Sequence, residues 1–306
     1  MQPILSRSSF HLTLTVAVLA CSLTCLFSDL GYGQQCGTRP ADIQWEKQFE
    51  RVVAGVTYPT IRPQAAGYRI PVAFHIIRRS DGTGPDGPCP GAPPDTLPHP
   101  GMFRLGQVDS ALTDLNDMFL QVGWEFFLAE PVNYIDDDDL YCMSMTGVSI
   151  WTLTQTASVE GAVNIYAAPN TGQRGSTMYL PHAAGILVDA SAAGVPENPS
   201  TLAHEMGHYF GLFHTHEIRW DGTDFVYECP DGSNCETAGD LICDTPADPD
   251  LLFYGTASCG YSGTAPPPSG CDNTPYDPLT DNLMSYASAT CRSTFTEGQM
   301  AKMDHI

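Results

Sequence analysis

The segment Thr201-Leu202-Ala203-His204-Glu205-Met206-Gly207-His208-Tyr209-Phe210-Gly211-Leu212-Phe213-His214 constrains this chain more than any other. Residues four apart share one face of a helix, so a helical reading brings the His204 and His208 imidazoles to a single ion. Gly211, three past His208, lets the chain leave the helix through a conformation that a side chain would penalise, and the turn carries His214 round to the same ion. Three protein ligands leave the fourth position of zinc open, which separates a catalytic zinc from a structural one. Glu205 follows the first ligand, where its carboxylate meets a water in that position rather than the ion. The expected chemistry is hydrolysis: zinc brings the water's pKa towards about 7, Glu205 is the general base, and a metal-polarised carbonyl is attacked. At ordinary composition the full pattern arises by chance on the order of a few times in 10⁵ such chains. The three histidines are therefore read as ligands, and His75, His99, His182, His216 and His305 as ordinary core or surface residues.

The N-terminus has Arg7, an apolar run over residues 10–27 broken by Ser and Thr, and small residues around Gly31, Tyr32 and Gly33. That order is a signal peptide, residues 1–33, and predicts export. A second reading attaches lipid at Cys21, after Val18-Leu19-Ala20, and anchors the protein at the cell surface. No later segment approaches the roughly 18 apolar residues of a membrane span. Asp and Glu number 35 against 13 Lys and Arg, a formal net charge of -22. A polyanion would be repelled, which excludes nucleic acid as a partner. The sequence assigns no oligomeric state.

Eleven cysteines are present, and loss of Cys21 and Cys25 with the leader leaves nine. In an oxidising compartment disulfides are their default use. Cys36 stands alone upstream, and Cys89, Cys142, Cys229, Cys235, Cys243, Cys259, Cys271 and Cys291 could form four bridges whose pairing the order leaves open.

Residues 34–66 lack apolar periodicity and suit a propeptide. Residues 68–77, rich in β-branched and aromatic side chains, read as a first buried strand; 80–100 are a Gly- and Pro-dense loop. Apolar spacing of three and four over 105–122 predicts an amphipathic helix. Residues 124–128, 163–167 and 186–188 read as strands, with 175–181 as an exposed edge. The acidic run 136–139 reads as a solvated loop, with calcium capture as the second option. Beyond His214 the texture is loop-rich and suits disulfide stapling. Thr296-Glu297-Gly298-Gln299 has capping-box spacing and should start a closing helix.

Asn282-Leu283-Met284-Ser285-Tyr286 lies 70 residues beyond His214 and has the form of a Met-turn. Here the chain resembles the pappalysin family of metzincin zinc metalloproteases: His214-Thr215, Met284 with Tyr286, and Cys243-Asp244-Thr245-Pro246 between them match the family pattern. The resemblance runs from about residue 68 to the C-terminus. It implies an α+β catalytic domain, residues 67–306, with a twisted mixed sheet and two long helices above a cleft (67–211) and an irregular disulfide-rich lower subdomain (212–306). It makes Met284 the floor under the zinc and Tyr286 a stabiliser of the oxyanion. It gives Cys36, in Gln35-Cys36-Gly37-Thr38, the role of a thiolate that blocks the zinc until the propeptide is removed, and suggests calcium at Asp240, Asp244 and Thr245. Relatives that cut before basic residues have an acidic side chain just ahead of the cysteine after the Met-turn; here Thr290 precedes Cys291, which argues against a basic-selective primed pocket at that position.

The leading expectation is a secreted zinc endopeptidase made as a latent zymogen, acting on peptide or protein substrates. A zinc-binding adhesion or inhibitor module without turnover is the alternative, although such a module would be expected to lack Glu205. A hydrolase of non-peptide carbonyls shares the metal chemistry, and the edge at 175–181 favours an extended peptide over it.

Overall fold

A computed structural model describes residues 67–82, 104–141, 147–168, 175–178, 185–190 and 192–304, all within a unit spanning Gln35–Ile306. The leader, Cys21, Cys25, Cys36, Cys89 and Cys142 lie outside the described residues, as do His99, His182 and His305.

The centre is a six-stranded sheet. Its first strand, β1 (Arg69–Arg78), is buried from Val72 to Ile77 on both faces, as expected of a central strand in a largely parallel sheet. On one side β1 pairs in parallel with β2 (Glu125–Leu128) along its first half and with β3 (Asn133–Asp136) along its second. On the other side come β4 (Val163–Ala168) and β6 (Gly185–Asp189), both parallel, and then β5 (Gly175–Met178), an antiparallel edge. The strands expected at 68–77, 124–128, 163–167 and 186–188 are present within a residue or two. The four described residues of the 175–181 segment form the outermost strand.

Helix α1 (Leu105–Phe119) buries Val108, Ala111, Leu115 and Phe119, the three-and-four spacing read from sequence. Its predicted last turn is a 3₁₀ turn, Leu120–Val122, closed by Gly123 at φ +78°. The acidic run is a correction. Asp136 ends β3 in a two-bond ion pair with Arg78, at 2.7 and 2.8 Å, and Asp138–Tyr141 forms a short helix, α2. Asp137 starts that helix, its Oδ1 accepting the amides of Asp139 and Leu140. The run stays solvated as expected, with Asp136, Asp138 and Asp139 exposed, but it is a strand end and a helix start instead of a loop. A further helix, α3 (Gly147–Thr156), has no counterpart in the sequence reading.

The sheet is covered on both faces. Val72, Phe74 and Ile76 pack in one cluster with α1, the zinc-motif helix and Met284. Ile77 and Tyr166 pack in another with Leu140, Tyr141 and Leu153. Each fully buried aliphatic or aromatic side chain contributes about 1.5–3 kcal/mol, so the core that holds the sheet also fixes the motif helix beneath it.

Beyond Gly211 regular structure is sparse: β7 (Arg219–Trp220) with β8 (Phe225–Val226), a turn of helix α5 (Leu251–Tyr254), and the closing helix α6 (Glu297–Met303). Here α4 denotes the motif helix Thr201–Tyr209. Disulfides Cys229–Cys271, Cys235–Cys243 and Cys259–Cys291 staple this half, each stabilising by about 2–4 kcal/mol. The capping box of α6 forms as expected, with Thr296 Oγ1 accepting the Gln299 amide and Gln299 Oε1 accepting the Thr296 amide. Among the described residues no helix is long and apolar enough to cross a membrane.

Candidate active site

All nine residues of α4 are buried, so its histidines are held by packing on every side. The helix ends in a Schellman turn: the Gly211 amide donates to the His208 carbonyl at 2.9 Å and the Leu212 amide to the Gly207 carbonyl at 3.0 Å. Gly211 adopts φ +81°, the left-handed conformation expected of it. The turn delivers His214 against the other two: ring centroids lie 4.7 Å (His204–His208), 5.3 Å (His204–His214) and 4.4 Å (His208–His214) apart. Potential ligand atoms of the three residues fall within 4.8 Å of one another, the one such His, Cys, Asp or Glu group among the described residues.

The outer ring nitrogens face acceptors. His204 Nδ1 donates to the Leu283 carbonyl at 2.6 Å and His208 Nδ1 to the Leu212 carbonyl at 2.8 Å; His214 Nδ1 lies 3.5 Å from the Glu217 carboxylate. With the proton on Nδ1, each ring turns a lone pair on Nε2 inward. The His208 and His214 Nε2 atoms are 2.9 Å apart, and His204 Nε2 is buried without a hydrogen-bond partner. Converging lone pairs of this kind fit a cation, and three imidazole nitrogens fit zinc. Burial pushes all three rings well below the ordinary histidine pKa, and the positive charge of Arg292 adds to this at His204 and His214. They are therefore neutral, the form that binds metal. One Arg292 nitrogen lies 3.0 Å from both His204 Nδ1 and the Ser285 carbonyl. The shorter carbonyl contact takes the His204 proton, so the guanidinium donates to Ser285.

Glu205 is 1% exposed. Thr177, on edge strand β5, donates its hydroxyl to Glu205 Oε2 at 2.8 Å and lies 3.0 Å from the Glu205 carbonyl oxygen. Beneath the histidines, Met284 is fully buried, and a Cβ on Gly207 would collide with its sulfur. The turn is tied down by Asn282, whose Oδ1 accepts the Met284 amide and whose amide group exchanges hydrogen bonds with Gln299 of α6. Tyr286 places its ring 4.7 Å from that of His214 and 4.2 Å from that of His216.

The lower-half residues are more dispersed in role. Asp240 is buried, its Oδ1 accepting the Ile242 amide. Both Asp244 oxygens bind the start of α6, accepting from Thr296 Oγ1 at 2.8 Å and the Gly298 amide at 2.7 Å. Thr245 is buried, 3.4 Å from Thr296 between hydroxyl oxygens. Sequence reasoning missed Thr177 and Arg292; His216, read as an ordinary core or surface residue, stacks on the His214 ring at 5.0 Å. Only strand order and turn geometry bring these residues to the site.

A family model described as pregnancy-associated plasma protein-A matches residues 167–306. An extracellular metalloprotease of Colletotrichum graminicola is 30% identical over 252 residues, covering 78% of this chain and 76% of that protein. Pappalysin-1 of Mus musculus is 34% identical over 134 residues, 40% of this chain and 7% of its own length, so this chain corresponds to a small part of that protein. Among solved structures, a promirolysin mutant of Tannerella forsythia is similar in fold, with TM-score 0.50, 15% identity, and coverage of 89% of this chain and 93% of that one. The matched family segment encloses the histidine cluster and the Met-turn, and the fungal relative extends the kinship over three quarters of both proteins: the chain belongs to the pappalysin family of zinc metalloendopeptidases.

Proposed function

We propose that this chain hydrolyses peptide bonds at a zinc held by His204, His208 and His214, with Glu205 as general base. The observation that carries the reading is the convergence of three neutral imidazole nitrogens whose outer nitrogens are all engaged. Bound there, zinc supplies Lewis acidity, polarising the peptide carbonyl and bringing the pKa of water to about 7. Glu205 takes the proton and delivers it to the leaving amine, and Thr177 fixes the carboxylate for both transfers. The Tyr286 hydroxyl steadies the oxyanion, and Met284 keeps the floor dry. Among the described residues β5 ends the sheet, and its outer side offers an edge on which an extended substrate adds as a strand.

The same reading makes residues 1–33 a signal peptide, 34–66 a propeptide and 67–306 the catalytic domain, divided at Gly211. Relatives described as extracellular support secretion. Lipid attachment at Cys21 is the second reading, and intact mass of the exported product separates the two. Cys36 acts as the latency switch, so Cys36→Ala raises the activity of the unprocessed chain. Calcium at Asp240, Asp244 and Thr245 is supported by the buried Asp240 Oδ2, which lacks a hydrogen-bond partner among the described residues; a calcium-dependent Tm is its readout.

The test is a peptide assay of wild type and Glu205→Ala with zinc content measured in both. Equal zinc and at least a 10³-fold loss of kcat in the variant are expected, on the order of the cost of removing a reaction's proton acceptor. Comparable cleavage by both removes Glu205 from its role, and zinc without cleavage in either favours the non-catalytic binding module.

A further inference from the structure

His216 and Tyr286 stand on two segments that a single main-chain hydrogen bond ties together. The Thr215 amide donates to the Met284 carbonyl at 3.2 Å, and the Thr215 hydroxyl donates to Asp248 at 2.6 Å. The chain leaving the third histidine is thereby pinned to the Met-turn, and the side chains just beyond the bond meet. The His216 and Tyr286 rings lie 4.2 Å apart between centroids, tilted by 51°. That is the shortest separation in a cluster where Tyr286 also lies 4.7 Å from His214, and His216 stacks on His214 at 5.0 Å and 22°.

The two imidazoles against Tyr286 have different duties. His214 turns one nitrogen to the candidate metal and the other towards Glu217, so its orientation is already committed. His216 lies outside the group of converging ligand atoms, and its Nδ1 is buried without a hydrogen-bond partner. Its ring contacts are with His214 and Tyr286. The main chain around Tyr286 is fixed as well: the Ser285 amide and hydroxyl both donate to the Asn282 carbonyl, at 3.2 and 3.0 Å, and the Ala287 amide donates to Ser285 Oγ at 3.2 Å. What remains to be set is the half-buried Tyr286 side chain, whose torsions decide where its hydroxyl lies.

We propose that His216 is a positioning residue for peptide hydrolysis: its ring is the wall that holds Tyr286 at the angle from which the hydroxyl meets the oxyanion. The inference rests on the peptidase reading and deepens it. A tyrosine that becomes ordered only as the oxyanion forms gives up rotamer freedom at that moment, which weakens the interaction, whereas a ring already confined by packing gives up little. Ring contact confines Tyr286 without a hydrogen bond that would compete for its hydroxyl. Another aromatic ring at position 216 therefore serves, and a methyl group does not.

The test measures cleavage of a quenched-fluorescence peptide by wild type, His216→Ala and His216→Phe, each alone and combined with Tyr286→Phe. His216→Ala lowers kcat by about tenfold with KM and zinc content unchanged, and His216→Phe keeps most of the wild-type kcat. In the Tyr286→Phe background His216→Ala has no further effect, because the hydroxyl through which it acts is gone. Affinity for a phosphinic peptide, whose tetrahedral anion imitates the intermediate, falls in His216→Ala by the same factor as kcat. In zinc-free protein with 3-fluorotyrosine at position 286, the fluorine resonance moves towards that of an exposed tyrosine in His216→Ala and stays apart from it in His216→Phe. An unchanged kcat in His216→Ala overturns the proposal, as does a loss that persists in the Tyr286→Phe background or follows zinc content. Absence of cleavage by wild type tells against the peptidase reading itself, whereas cleavage with an unmoved resonance overturns this inference alone.

Discussion

Each active-site imidazole gives its outer nitrogen to a main-chain carbonyl or a carboxylate, so three different parts of the chain dictate where three lone pairs point. The spacing of His204, His208 and His214 made the ligand set legible from sequence, because helix periodicity and one glycine suffice to bring them together. Thr177 was not legible: it stands 28 residues before Glu205 and reaches it only because β5 folds back as an antiparallel edge. A hydrogen bond to a charged group is worth about 1.5–3 kcal/mol. Thr177→Val should therefore lower kcat by roughly 10- to 100-fold, with KM and zinc content little changed. Steady-state kinetics beside metal analysis checks this, and an unaltered kcat would show that Glu205 is oriented without it. Arg292 was equally hidden, since it meets His204 across 88 residues.

Helix α4 and the turn at Met284 meet at Gly207, one of the two variable positions inside the histidine repeat. No pattern in the sequence announces that contact, yet a methyl group there has no space beside the Met284 sulfur. Gly207→Ala should cost about 1–3 kcal/mol through overpacking and lower Tm by about 2–10 °C. A thermal scan checks it; an unchanged Tm would mean that helix and turn are not in the contact described. Helix α1 was legible because its buried face repeats at three to four residues, and β1 because a continuous run of β-branched and aromatic residues suits a strand buried on both faces. Strand β3 and helices α2 and α3 were not: the acidic run is exposed as read, but that it begins as a strand depends on Arg78 of the adjoining strand pairing with Asp136. The capping box at Thr296 was legible because it is wholly local.

For the molecule as a whole, the irregular half holds three carboxyl groups that burial pushes far above their ordinary pKa. Glu228 is pushed up to about 8, Asp240 to about 7 and Asp250 to about 6, in each case chiefly by burial. Unfolded, such groups titrate near pH 4, so the native state holds more protons between about pH 4 and 8. Linkage then makes stability fall as pH rises through that window. Replacing Glu228 by Gln removes one contributor, so the Tm of Glu228→Gln minus that of wild type should grow from pH 5 to pH 8; a constant difference would contradict the burial described. The sequence foretold a disulfide-stapled half but not its pairings, because which cysteines meet depends on loops with no periodicity. It foretold one catalytic ion held by three imidazoles. X-ray absorption at the zinc edge on processed, zinc-loaded protein should show three imidazole nitrogens at about 2.0–2.1 Å with one further light atom; two imidazoles, or a shell closed by four protein ligands, would contradict it.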